Sequence, residues 1–169
     1  GNTGGEKYNC IIADPKTRQV LDILPNRKYN ELSNYFKSQK RKSIKYFVSD
    51  MWRPYKDISN TFFKNTIFIV DKYHWIRQCI WAFENVRKKE QKKFYKAYRK
   101  YFKRSKSLLT KRFEFLTEDE KTQVNFMVYK SDNIRIAHQL KEDFLKLLDL
   151  KNRKNARSLL SEWILDAQS

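Results

Sequence analysis

Two short apolar runs, YFVS at 46–49 and IFIV at 67–70, each end in an aspartate, Asp50 and Asp71. Such runs predict strands over 44–49 and 67–70, and the separation of their ends, about 20 residues, fits one helical crossover between parallel neighbours. Parallel strands joined in that way end side by side, so the spacing predicts two carboxylates facing one crevice. Carboxylates held there suit a divalent cation, because Mg²⁺ takes oxygen ligands and neutralises groups that otherwise repel each other. The same residues also suit a plainer use as strand-end turn formers and helix N-caps, and both uses stay open here.

The crossover itself is legible. Pro54 fits the first turn of a helix, and Tyr55, Ile58 and Phe62 give that helix one buried face. Upstream, YNCIIAD (8–14) and QVLDIL (19–24) flank Asp14-Pro15-Lys16-Thr17 and predict a hairpin, with Asp14 as a turn acid. Residues 1–6, GNTGGE, have no periodicity and read as a loop. A helix carrying Leu32, Tyr35 and Phe36 follows, ended by the basic run Lys37 to Lys45.

From Tyr73 the pattern becomes helical. Apolar residues recur at Ile76, Cys79, Ile80, Phe83, Val86, Phe94, Tyr98, Tyr101 and Phe102 with no proline or glycine among them, predicting one long helix kinked near Glu90. Thr117 to Glu120 is a capping box that opens a helix with Val124, Met127 and Val128 inward. Ser131 and Asp132 cap the next, with Ile136, Leu140, Phe144, Leu147 and Leu148 inward, and a last helix carries Ala156, Leu159, Leu160, Trp163 and Ile164. The change near Tyr73 marks the domain boundary: 1–75 as a mixed α/β part, 76–169 as all helix.

Charge is the second constraint. Lys and Arg exceed Asp and Glu by 18, and residues 87–112 hold 13 of those cations against one Glu. Like charges four apart weaken a helix, so a segment this one-sided is best understood as facing phosphate. Arg87, Lys88, Lys89, Lys92, Lys93, Lys96, Arg99, Lys100, Lys103 and Arg104 are the expected DNA contacts. The aromatics among them read as a core-facing stripe. Core packing is likewise the expected use of Trp52, Trp75 and Trp81, ahead of stacking on a flipped base.

Several classes are excluded or disfavoured. All three glycines lie within the first five residues, so no glycine-rich phosphate loop follows Gly5. Cys10 and Cys79 lack zinc-site spacing and read as free thiols of a reducing compartment. No run is long enough to span a membrane and no signal peptide or lipidation motif stands out, so a soluble, intracellular protein is expected. His138, within an amphipathic helix, reads as structural; His74 is open between a structural and an active-site role.

The order hairpin, helix, strand, helix, strand, helices is that of a ribonuclease-H-like core lacking its first strand. The runs KYNCIIADPKTRQVLDILPNRKYNELSNYF, YFVSDMWRPY and NTIFIVDKYHWIRQ resemble the DDE transposases of bacterial insertion sequences, most closely the ISL-three family. The pairing of SDM with DKYH, together with the hairpin and arginine of DILPNR, carries the resemblance. It implies an α/β catalytic core with an all-helical insertion, acting in the bacterial cytoplasm on transposon ends and target DNA, with self-association of the full-length enzyme. It also implies two-metal phosphoryl transfer, in which Asp50 is the second acid of the triad and a ligand of one of two Mg²⁺ ions, with Asp71 and His74 adjacent to the site.

Two departures accompany it. The family's first acid lies on a strand before the hairpin and its third, a Glu, lies after the insertion, so the chain is expected to be a middle portion with one of three metal-binding acids, inactive and metal-free on its own. Neither Asp14 nor Glu162 fills a vacancy. The alternatives are a non-enzymatic basic helical nucleic-acid-binding module and a ribonuclease-H-like nuclease or resolvase; the helical second half counts against the last.

Overall fold

The computed structural model describes residues 8–38, 44–104 and 106–168, and it forms two compact units, Gly1–His74 and Trp75–Ser169. The expected loop at 1–6 and the middle of the basic run after Lys37 lie outside the described residues.

In the first unit, β1 (Cys10–Asp14) and β2 (Gln19–Leu24) form an antiparallel hairpin with an irregularity at Ile12/Ala13. Asp14 closes the turn: its Oδ1 accepts the Lys16 amide at 2.8 Å, its carbonyl accepts the Arg18 amide at 2.8 Å, and Arg18 takes the left-handed conformation at φ 60°. The backbone amide of Lys16 holds the Asp14 carboxyl below its usual range. Helix α1 (Tyr29–Ser38) follows, then β3 (Tyr46–Ser49), α2 (Arg53–Phe62) with proline in its first turn, and β4 (Ile67–Val70). β3 and β4 pair in parallel from Tyr46↔Ile67 to Ser49↔Val70, as the two apolar runs predict.

The inner faces of both ladders pack on the same helices. Cys10 and Leu24 of the hairpin join Leu32 of α1 and Ile58 and Phe62 of α2, with Phe36, Phe47 and Phe63 packed against them. Full burial of a side chain such as Leu32 or Ile58 contributes about 1.5–3 kcal/mol. The two ladders are nevertheless separate two-stranded sheets, where the sequence predicts one mixed sheet. Their outer faces stay apolar and exposed, at Ile11, Ile23, Tyr46, Val48, Ile67 and Ile69.

The second unit is helical. α3 (Lys72–Gln91), α4 (Lys96–Arg104), α5 (Lys106–Thr110), a 3₁₀ turn at Phe113–Phe115, α6 (Glu118–Tyr129), α7 (Asp132–Leu147) and α8 (Arg153–Gln168) follow in order. The long helix expected from Tyr73 onward, kinked near Glu90, is fully broken there: α3 ends at Gln91 and α4 begins at Lys96. Tertiary packing wins over local propensity: Phe94 stacks on Phe102 at 5.0 Å, folding the aromatic stripe back into a core with Phe83, Leu109, Val124, Met127 and Ile134. Glu90 fastens that end, accepting Ser131 Oγ at 3.0 Å and Asn133 Nδ2 at 2.9 Å.

Thr117 and Glu120 complete the capping box in both directions. The inward face of α7 holds Phe144 as predicted and otherwise differs from the predicted one. Ile134, His138, Lys141 and Leu145 are buried, while Ile136 is half exposed, because polar side chains occupy the turns that face the core. Lys141 Nζ donates to the Leu109 and Lys111 carbonyls at 2.9 and 3.0 Å and pairs with Glu142, whose carboxylate accepts the Phe113 amide at 3.1 Å. α8 rests on α7 through Trp163, whose Nε1 donates to the Leu140 carbonyl at 2.8 Å; Leu159, Leu160 and Ile164 remain exposed.

Candidate active site

The parallel register carries Asp50 and Asp71 to the ends of neighbouring strands. Each follows the last paired residue of its strand, and the Asp71 amide donates to the Ser49 carbonyl at 2.9 Å, extending the ladder by one bond. Each carboxylate then closes a turn onto the amide two residues on, Asp71 directly before α3 and Asp50 three residues before α2. Asp50 Oδ1 accepts the Trp52 amide at 2.9 Å and Asp71 Oδ1 accepts the Tyr73 amide at 3.0 Å. One oxygen of each carboxylate is thus engaged by backbone, which fixes the side chain, and the second is turned elsewhere.

Asp50 Oδ2 lies 3.6 Å from Arg27 Nη1. Arg27 makes cation–π contacts with two rings, its guanidinium carbon 4.6 Å from the Trp52 ring centre and 4.9 Å from that of Tyr8. Beneath this stack the Tyr55 hydroxyl donates to Cys10 Sγ at 3.6 Å, and burial pushes both the thiol and the phenol above their usual ranges. Asp71 Oδ2 lies 3.7 Å from His74 Nδ1, and that ring nitrogen, like Arg27 Nε, is buried without a hydrogen-bond partner.

Hard carboxylate oxygens are the donors Mg²⁺ prefers, and that ion is commonly bound through one or two carboxylates plus substrate phosphates. The donor type fits. The number does not reach a closed site, since no three His, Cys, Asp or Glu among the described residues gather to hold a metal.

The predicted DNA contacts divide. Lys88, Lys89, Lys92, Lys93, Lys96, Arg99, Lys100, Lys103 and Arg104 are exposed along the end of α3 and on α4. Arg87 is not: only 3% exposed, it forms a two-point ion pair with Glu84, Nε to Oε1 at 2.6 Å and Nη2 to Oε2 at 2.9 Å. Its position on the inner side of α3 makes it a core residue, which corrects its expected role.

Residues 2–169 match the profile of a family described as transposase, that of the ISL-three DDE enzymes. The chain belongs to that family. No curated protein and no solved structure matches it. Among the described residues of this transposase chain, no helix is long and apolar enough to cross a membrane.

Sequence reasoning passed over Arg27 as a partner of Asp50, although the run DILPNR contains it; the separation in sequence hides a contact made across the sheet ends. It also assigned Trp75 and Trp81 to the core. Both are exposed, Trp81 beneath the Arg77 guanidinium at 5.3 Å. Trp52 alone of the three is half-buried, edge-on to Tyr55 at 5.2 Å.

Proposed function

We propose that Asp50 is a metal-binding carboxylate of the transposase's phosphoryl-transfer site, with Asp71 and His74 beside it, and that the exposed cations from Lys88 to Arg104 bind the DNA backbone. The parallel pairing that sets Asp50 and Asp71 at adjacent strand ends is the observation that carries this reading. The unit Gly1–His74 is then an incomplete ribonuclease-H-like core. Among the described residues, the two ladders pack on one helical layer without sharing a hydrogen bond. Unit Trp75–Ser169 corresponds to the helical insertion.

Bound Mg²⁺ would supply Lewis-acid polarisation of phosphoryl oxygens and a deprotonated nucleophile for cutting and joining strands. Asp50 would hold it through the oxygen now turned to Arg27. Arg27, freed from that carboxylate, would offer its guanidinium to a DNA phosphate, and its preset stacking between rings lowers the entropy lost on binding. Self-association of the full-length enzyme belongs to the same reading.

A single carboxylate binds Mg²⁺ weakly, so these 169 residues are expected to leave supercoiled DNA uncut in its presence. The direct test uses Mn²⁺ as a paramagnetic probe. Broadening of amide signals should centre on residues around 50 and 71 and disappear in Asp50→Asn; broadening that ignores this substitution would defeat the assignment. The competing reading, a non-enzymatic binding module, is favoured by the backbone bonds to Trp52 and Tyr73, which are what pure capping acids would make. It predicts no Mn²⁺ effect at either acid.

A further inference from the structure

Beyond its exposed cations, the start of α4 carries an aromatic cleft. Tyr95, Ala97, Tyr98 and Tyr101, with Phe126 of α6, line an open cleft of about 320 Å³. Two pairs of rings shape it: Tyr95 and Tyr98 meet edge-on at 4.7 Å, Tyr101 and Phe126 at 6.2 Å. Rings that serve only the core are covered, as Phe102 is; here Tyr95 is 66% exposed and Phe126 45%. Lys130 Nζ lies 4.9 Å from the Phe126 ring centre and 5.7 Å from that of Tyr98, placing a cation at the cleft. On the same short helix, Lys96, Arg99, Lys100 and Lys103 are exposed.

The combination restricts the occupant. Aromatic faces beside closely spaced cations are how proteins hold single strands, stacking bases on rings while cations track the phosphates. Bases inside a duplex are already stacked and paired, so only an unpaired one gains from such rings. The volume, near the lower limit of about 300 Å³ for small-ligand clefts, suits one planar ring system. A second copy of this chain would bring like charge against like charge, since each carries a net +18.

We propose that this cleft takes an unpaired base of single-stranded DNA, stacked on the exposed ring of Tyr95 and walled by Tyr98 and Phe126, with the flanking phosphates held by the cations of α4. The proposal rests on the DNA-facing reading of Lys88 to Arg104 given above. The α4 cations supply affinity for any DNA, and the rings supply preference for an unpaired end.

The test compares the 169-residue chain on a blunt duplex and on the same duplex with a short single-stranded overhang. The overhang should tighten binding by the unsubstituted chain. Tyr95→Ala, Tyr98→Ala and Phe126→Ala should each weaken binding to the overhang DNA by roughly tenfold and alter duplex binding less than twofold, while Tyr98→Phe retains the preference. Tyr95 is two-thirds exposed, so its replacement keeps the test decisive even where Tyr98→Ala fails to fold. Equal losses on both DNAs, no loss on either, or a changed sedimentation mass in Tyr95→Ala in place of a binding change would overturn the cleft's role. Binding of the duplex with indifference to the overhang removes the cleft alone; binding of neither removes the DNA-facing reading with it.

Discussion

Arg27 Nη1 faces Asp50 Oδ2 at 3.6 Å, so the carboxylate oxygen not engaged by backbone is paired with a cation that lies over two aromatic rings. A guanidinium there opposes a second cation by direct repulsion. Replacing it in Arg27→Gln should strengthen Mn²⁺ binding around Asp50 by about fivefold, since a unit charge near 4 Å is worth about 1 kcal/mol in a water-like medium. The same change removes the stacking on Trp52 and Tyr8 and should lower the unit's stability by about 1–2 kcal/mol in urea. Weaker Mn²⁺ binding in the variant would show that Arg27 organises the site and does not compete for it.

The first unit depends on Ile58 and Leu32, where α1 and α2 close over the strands, both almost wholly buried. Ile58→Ala removes three carbons from the middle of that layer and should cost about 2–5 kcal/mol. The readout is the urea transition monitored through Trp52. Ile69→Ala, on the exposed outer face of β4, should cost much less; equal losses would mean that face is covered in solution.

His138 should make the helical unit acid-sensitive. Burial, with Lys141 adding to it, depresses its folded pKa to about 3, and the ring packs edge-on against Phe83 and Phe113 on either side. Glu142 Oε1 lies 3.7 Å from Nε2 and would favour the proton, but that carboxylate is already held by Lys141 and the Phe113 amide. With the folded pKa below the unfolded value of about 6.5, the stabilisation is complete above that value. It drains as pH falls towards about 3, with a full span on the order of a few kcal/mol. Urea midpoints taken from pH 7 to 4 should fall steeply, and His138→Phe should flatten that fall even if it shifts the whole curve. A parallel curve in the variant would place the acid sensitivity elsewhere.

These three cases show where the sequence was readable. Periodicity and end chemistry sufficed for the hairpin turn at Asp14, the crossover from Pro54 to Phe62, the parallel strands and the capping box at Thr117, because each is decided within a few residues. The resemblance to the transposase family rested on those same stretches. Reading failed wherever a distant partner decided. Gln91 ends α3 although nothing local stops it, since Phe94 gains more by stacking on Phe102 than by extending the helix. Nothing local marks Lys141 and Glu142 as buried; the Leu109 and Lys111 carbonyls and the Phe113 amide, distant in the chain, hold them there. The place of Asp50 at a strand end was legible and Arg27 beside it was not, because helix α1 and strand β3 separate them in the chain.

Arg87 and Lys88 are neighbours in sequence and should separate cleanly in solution. Arg87→Met strands Glu84 in the core, where its carboxylate is about 5% exposed and its remaining cation is Lys106 at 3.8 Å. Breaking a buried pair from one side costs about 3–5 kcal/mol, so the variant should be strongly destabilised. Lys88→Gln removes an exposed charge and should leave stability within about 0.5 kcal/mol. DNA affinity should report the opposite order. Each lysine that neutralises a phosphate contributes about 0.9 to the slope of log affinity against log salt, so replacing Lys96, Lys100 and Lys103 together by Gln should reduce that slope by between two and three. Folded Arg87→Met protein, prepared at low temperature, should keep the full slope. Were the triple lysine variant to keep it instead, α4 would not be where the DNA backbone lies, and the charge on that helix would need another partner.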